Sequence, residues 1–454
     1  MIKKNKSALG IQLIFVLIIA AAVYIYTSSM FERVGPNINM SSNGYWNLKK
    51  PLKIEIDDDS GVKFYTVVLK SKNGENVLYK EKFMAAKDSL VIEVEPPRSA
   101  YAMKDKDIKI IVQATDASKW NFLKGNTSIK EFGLKIDKKR PELTIVSHSY
   151  KIKKGGAALV VFKVSDDNLK DFYIQTNFDK QFKAQPFYKE GYYISLLAWP
   201  ITESNFKATV VAKDYAGNTA TNYVPLYLKE NKYRISNMKL SDSFLNGKIA
   251  QLAEKFVETQ GIQEPLEQFI VINEVVRAKN EKLIHDITSK VSDKMISDFK
   301  ITKMYPLKNA QVVATFGDHR KYSYKGKPVS ESYHLGLDLA SIAQAQIKPQ
   351  NSGNVVFADV NGIYGNMPII DHGLGLYTLY GHCSSLKVNR GEVTEAMQNI
   401  ANTGKSGYAM GDHLHFGVLV QGIEVRPAEW MDKDWIRLNI SNIINDAKKI
   451  IDRS

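Results

Sequence analysis

Three short phrases near the end of this 454-residue chain hold side chains that bind metals or move protons: HLGLD at 334–338, YGHCS at 380–384 and GDHLHFGV at 411–418. Together they hold four of the chain's eight histidines and, in HLGLD, the aspartate Asp338. Read as a strand, HLH places His413 and His415 on one face, about 6.6 Å apart, and sends Leu414 and Phe416 to the other. In HLGLD, Leu335, Leu337 and Leu339 alternate with His334, Gly336 and Asp338, which again argues for a strand. A straight strand would separate the His334 and Asp338 Cα atoms by about 13 Å. Shared ligation therefore needs a bend, and Gly336 permits one.

Such a set suits catalytic zinc, which takes three protein ligands and keeps a fourth position open. Two histidines and one aspartate would leave the metal a net positive charge, enough to lower the pKa of a bound water toward neutrality. Two further histidines are then available as a base and as an oxyanion stabiliser. Any one of these histidines alone is more simply a surface or structural residue. The joint pattern in one small β-rich region is what points to chemistry.

The elements that position these residues read as mainly β. Residues 305–435 alternate short strands with glycine turns (AQVVATFG, HLGLDLA, GNVVFAD, NMPIIDHG, YTLYGHC, HLHFGVLVQG), the pattern of a compact antiparallel sheet. Residues 436–454 carry apolar side chains at 440, 443, 444, 447 and 451 and predict a terminal amphipathic helix. Upstream, 235–303 shows three- and four-residue apolar spacing with Ser241 or Asp242 as N-cap, a helical segment that could brace or gate the site or simply link domains. Residues 45–139 and 140–230 each read as a β-sandwich module. A weak internal repeat supports this: DDDSGVKFYTV resembles SDDNLKDFYIQ, and VQATDASKWN resembles VVAKDYAGNT.

Residues 8–26 are almost uninterrupted apolar sequence, with Lys3, Lys4 and Lys6 before them. That length spans a bilayer, and the lysines keep residues 1–7 in the cytoplasm. We expect an uncleaved single-pass inner-membrane anchor with the bulk of the chain in the periplasm; a cleaved signal peptide is the alternative. Cys383 is the lone cysteine, so no intramolecular disulfide forms. The net charge is +14, but residues 301–454 hold 16 Lys and Arg against 14 Asp and Glu, so the surplus lies upstream. No basic cluster interleaved with aromatics suggests nucleic acid. Attraction to an anionic membrane or cell-wall surface fits the upstream charge.

HLGLD, YGHCS and GDHLHFGV, in that order, resemble the motifs of the lysostaphin or LytM family of zinc metallopeptidases, over roughly residues 307–431. The resemblance implies Zn²⁺ held by His334, Asp338 and His415, with His382 and His413 as catalytic histidines. It implies endopeptidase action on the peptides that cross-link bacterial peptidoglycan, in cell-wall remodelling or shape control. The whole layout (anchor, immunoglobulin-like modules, helical segment, peptidase domain) is similar to a membrane-anchored bacterial subgroup. Some relatives have lost ligands and act only as activators of other hydrolases, so a non-enzymatic envelope scaffold with protein partners is the second reading. Within GEVTEAMQNIANTG (391–404), Met397 and Ala401 stand where the family often has glycine. Among the remaining histidines, His319 with Arg320 could line the substrate groove, and His372 is expected to support a turn. His285 falls on a polar helix face, and His148 has no evident partner.

Overall fold

The computed structural model describes residues 6–98, 103 and 105–454. Residues 1–5 of the expected cytoplasmic tail lie outside the described residues. Helix α1 (Lys6–Thr27) contains an 18-residue window, Gly10–Thr27, of mean hydropathy 2.2, long and apolar enough to cross a membrane. The rest of the chain is mostly β, in several sheets, with a C-terminal β domain.

The chain divides into two compact units. The first comprises Met1–Pro141 with Asp166–Lys170 and Lys213–Thr219. Its main element is a long hairpin, β1 (Leu52–Ser71) and β2 (Gly74–Val94), within a six-stranded sheet. The side chains of β1 alternate in burial until bulges between Asp57 and Phe64 shift the register. Ile54, Ile56, Val67 and Leu69 thus fall in one core with Ile110 and Val112. The repeat seen in the sequence returns as hydrogen bonding. Asn126 donates from its backbone N and from Nδ2 to Asp116, and Asn218 does the same to Asp214.

The second unit comprises Glu142–Ser165, Asp171–Ala212 and Ala220–Ser454. Two four-stranded sheets occupy its N-terminal part. They are tied to the C-terminal part by buried polar contacts. Gln421 bonds Lys183 from both ends of its amide, and Ala157 N donates to Glu429 Oε2 at 3.1 Å. Next comes β3 (Ile235–Lys239), followed by the helical segment. Helices α2 (Pro265–Val271) and α3 (Arg277–Thr288) are continuous through a π-turn at Ile272–Val276.

The C-terminal part contributes β4 (Gln311–Ala314), β5 (His319–Tyr324), β6 (Lys327–Tyr333), β7 (Leu337–Ala340), β8 (Gly353–Val360), β9 (Asn366–Asp371), β10 (Leu376–Gly381) and β11 (Leu414–Val420). The chain closes on α4 (Asn442–Arg453), which buries Ile444, Ala447 and Ile451. The main sheet runs β4-β7-β11-β10-β9-β8 and then Val393–Thr394, all antiparallel. A second, three-stranded sheet pairs β3 parallel to β5, and β5 antiparallel to β6.

Every residue of β10 and β11 is buried, so both faces of the central strands are covered. Tyr377, Leu379 and Leu419 project from one face into a core shared with Phe269, Ile272 and Val276 of the helical segment. Alternation puts His415 on the same face of β11 as Leu419. The helices therefore pack on the face that carries the site.

Candidate metal centre and cleft

Register brings the key residues together. Asp338 on β7 lies directly opposite His415 on the neighbouring β11, and Gly381 of β10 lies opposite His415 from the other side. His334 precedes β7, and the chain bends at Gly336 between them. That bend sits so close to the His415 ring that a Cβ at Gly336 would fall 2.4 Å from Nε2. Only glycine fits. The bend brings His334 Nε2 to 3.0 Å from Asp338 Oδ1.

Three donor atoms converge. His334 Nε2 is 3.1 Å from His415 Nδ1, and His415 Nδ1 is 2.9 Å from Asp338 Oδ1. A tetrahedral zinc with N and O ligands at about 2.0–2.2 Å has ligand–ligand edges of about 3.3 Å, so the cluster has the size of one face of such a site. The residues His334, His415 and Asp338 are 6%, 7% and 9% exposed. The other nitrogen of His334, Nδ1, lies 2.9 Å from the Thr315 carbonyl. Such a bond fixes the tautomer that turns Nε2 inward. Burial pushes the Asp338 carboxyl up, but the adjoining ring nitrogens of His334 and His415 outweigh it and hold the group well below the usual carboxylate range. Burial pushes His415 down, so its ring is neutral. An ionised Asp338 and a neutral His415 are the states a divalent metal requires of such groups. Residues and geometry fit a metal of this class.

The two remaining histidines flank this cluster. His382 follows β10 in a left-handed conformation, φ +65°, and its N–H donates to Tyr364 O at 2.8 Å. A non-glycine residue in that region costs of order 1–3 kcal/mol, which the surrounding fold must offset. His382 Nδ1 lies 2.9 Å from Ser406 O, and His413 Nδ1 lies 2.9 Å from Gly411 O. Each ring thus uses Nδ1–H on a backbone carbonyl and keeps Nε2 as a free lone pair. The ring centroids are 4.9 Å apart, and His413 Nε2 is 3.7 Å from Asp338 Oδ2. Burial pushes His382 down to about 3. It stays neutral across the physiological range.

The other candidates lie elsewhere. Cys383 is fully buried, with its thiol on Tyr380 O at 3.2 Å and pushed up to about 12 by burial, which leaves it inert as a ligand. His285 pairs with Glu424 at 2.8 Å, and His319 with Glu331 at 3.0 Å while stacking on Tyr333. His148 bonds the neighbouring Ser149 carbonyl. Met397 holds φ +67°, so the left-handed turn remains where relatives often carry glycine.

His372 holds the turn after β9, between Ser352 O at 2.8 Å and Thr378 Oγ1 at 2.7 Å. Burial pushes its pKa down to about 4 from 6.5. The unfolded chain then binds the extra proton between about pH 6.5 and 4, so this contribution is full above that window and lost as pH falls through it. Thermal melts from pH 7 to 4.5 should show a steeper fall in Tm for the wild type than for His372→Gln. Parallel slopes would remove His372 as the cause.

The cluster opens into a cleft of about 750 Å³. Its walls come from the main sheet, from β3 and β5, and from the helical segment through Arg277 and Phe244. Arg320 lines it, as the sequence allowed, and lies 3.6 Å from Asp318. Arg277 and Tyr364 carried no sequence signal; both reach the site only through helix and turn packing.

Comparison with known proteins follows from this geometry. Residues 332–427 match the family model for peptidase family M23. The chain is 32% identical over 132 residues to the peptidoglycan DD-endopeptidase ShyB of Vibrio cholerae serotype O1, covering 29% of this chain and 30% of that protein. It is 29% identical over 124 residues to the DD-carboxypeptidase/endopeptidase Mpg of Neisseria meningitidis serogroup B, covering 27% of each. It is also 32% identical over 98 residues to the murein hydrolase activator EnvC of Escherichia coli, covering 22% of this chain and 23% of that one. Each match thus spans under a third of the relative's own length.

Proposed function

We propose, from the premise that residues 332–427 form a peptidase M23 domain of the lysostaphin and LytM type, that this protein is a zinc metalloendopeptidase cutting the peptide cross-links of bacterial peptidoglycan. The observation that carries the reading is the convergence of His334 Nε2, Asp338 Oδ1 and His415 Nδ1 within 3.1 Å of one another at the base of a cleft. Those three residues would hold the metal. Bound there, zinc supplies Lewis acidity, which polarises a carbonyl and makes water nucleophilic near neutral pH.

The protein's own groups supply proton transfer and orientation. His413 is the proton acceptor in this reading: with Nδ1 on Gly411 O, its Nε2 is the nitrogen left to take a proton, 3.7 Å from Asp338 Oδ2. His382, held neutral by burial and with Nδ1 committed to Ser406 O, offers its Nε2 lone pair as an acceptor that orients a substrate N–H. His413→Ala is expected to retain zinc and lose turnover by about 10²–10⁴-fold. Zinc analysis and a muropeptide release assay on the same sample check both halves, and unchanged turnover would return His413 to a structural role. Helix α1 would anchor the chain in the inner membrane, with the remainder in the periplasm where peptidoglycan lies.

The similarity to EnvC favours one other reading, an envelope scaffold that activates other hydrolases through protein partners. All five side chains that the enzyme needs are in place here, which supports catalysis. Digestion of purified peptidoglycan by the detergent-solubilised chain, with products weighed by mass spectrometry, separates the two. A zinc-loaded chain that releases no cross-link fragments would favour the scaffold.

A further inference from the structure

Resting on that peptidase reading, we propose that Arg277 and Arg320, with Arg234 at the rim, form a subsite for a free carboxylate of the substrate, so that the cleft selects acidic peptides. The charged side chains lining the cleft are three carboxylates, three guanidinium groups and the Lys239 ammonium. The carboxylates are engaged. Asp338 lies against two histidines, Asp412 accepts from Thr403 Oγ1 at 2.6 Å, and Asp318 accepts from Ser236 Oγ at 2.7 Å. The guanidinium groups are only partly engaged. Arg320 stands 3.6 Å from Asp318, beyond hydrogen-bond length, and Arg234 has no ion-pair partner among the described residues.

Arg277 is held from behind. Its Nε donates to Asn273 O at 3.1 Å and its Nη2 to Asn273 Oδ1 at 3.0 Å. Asn273 is itself 1% exposed and donates to Ser330 Oγ at 2.8 Å, which ties it to β6. The π-turn at Ile272–Val276 makes this possible, because it releases a carbonyl that an α-helix would use internally. The nearest carboxylate to Arg277 is Glu281 at 3.9 Å. Burial pushes that carboxyl up to about 7, so it is only a partial counter-charge at neutral pH. The result is a guanidinium that has already lost its rotamer freedom, lines the catalytic cleft and keeps donors unfilled. Arg277, Arg320 and Tyr408 all line this cleft. A planar fork fixed this way recognises a carboxylate bidentately.

A cross-linking peptide offers that carboxylate from two sources, its C-terminus or an acidic side chain beside the scissile bond. The test uses the full chain in detergent, carrying His413→Ala so that the peptide survives. It is titrated calorimetrically with an acidic stem-type pentapeptide as free acid, as C-terminal amide and as side-chain amide. The free acid is expected to bind about tenfold more tightly than one of the amides, the size of one charge-assisted hydrogen bond. Arg277→Gln or Arg320→Gln in that background should erase the difference, and Arg277→Lys should keep part of it. The amide that loses affinity identifies the carboxylate. Equal binding of all three peptides, or a difference that survives both glutamine variants at unchanged zinc content and circular dichroism, overturns the subsite. The peptidase reading is judged separately, by cross-link cleavage with the unmodified chain: cleavage without arginine-dependent discrimination retires the subsite alone.

Discussion

His415→Ala is expected to abolish both zinc retention and peptidoglycan cleavage. His415 stands at the centre of the cluster, on β11 between the strands that carry Asp338 and lead into His382. Its Nδ1 lies within 3.1 Å of both other donor atoms, so removal leaves a two-ligand site. Structural and catalytic zinc sites need at least three protein ligands, and a site with two releases the metal on dialysis. Elemental analysis of the purified chain should fall from about one zinc to near none, with muropeptide release lost in parallel. The fold need not follow. Alanine removes a ring whose packing neighbours are His334, His382 and Tyr364, at centroid distances of 5.0, 5.8 and 5.4 Å. Circular dichroism of the variant separates metal loss from unfolding. Full zinc occupancy with wild-type turnover in a folded variant would defeat the metal assignment.

Phe269→Ala should destabilise the second unit by about 3–5 kcal/mol, the cost of emptying a fully buried aromatic site. Phe269 is wholly inaccessible, packs edge-on to Tyr322 at 5.0 Å and shares one core with Ile369, Tyr377 and Leu379 of the main sheet. The same packing bears on gating. If the helical segment were a removable cover, residues 305–454 alone would cleave faster than residues 40–454. Instead the segment supplies Leu245, Ile249, Phe269, Ile272 and Val276 to the core beneath the site face. It also holds the turn that carries Tyr364: Ile363 N donates to Asn280 Oδ1 at 2.8 Å, and Asn361 Nδ2 to Asn280 O at 3.2 Å. Residues 305–454 are therefore expected to lose cooperative unfolding along with activity. A fragment that melts sharply and cleaves at or above the full-length rate would overturn this and restore the cover.

Much of the site was legible before any fold was known. Period-two alternation in HLGLD and HLHFGV called for strands, and the imidazole and carboxylate types called for a borderline metal. Gly336 already marked where the chain had to bend. The spacing of 31 to 81 residues between HLGLD, YGHCS and HLH said nothing about distance in space. That came from register: antiparallel pairing set Asp338 opposite His415, and β10 delivered His382 from the other side. Which nitrogen of each ring faces inward also waited for the tertiary structure, since backbone carbonyls of Thr315, Ser406 and Gly411 fix the tautomers.

The helical segment shows the limit most clearly. Its amphipathic spacing predicted helices with a face to bury, but periodicity carries no address for the partner of that face. Nothing in the sequence set Arg277 apart from the other cations of a lysine- and arginine-rich chain. A π-turn no pattern announces, and the buried side chain of Asn273, turn it into a fixed guanidinium on the wall of the cleft. The sequence by itself determined the chemical set: residue types, local strand geometry and the glycine that lets the candidate ligands meet. Only the tertiary structure decided the cleft around them, because its walls are assembled from segments whose interactions are non-local.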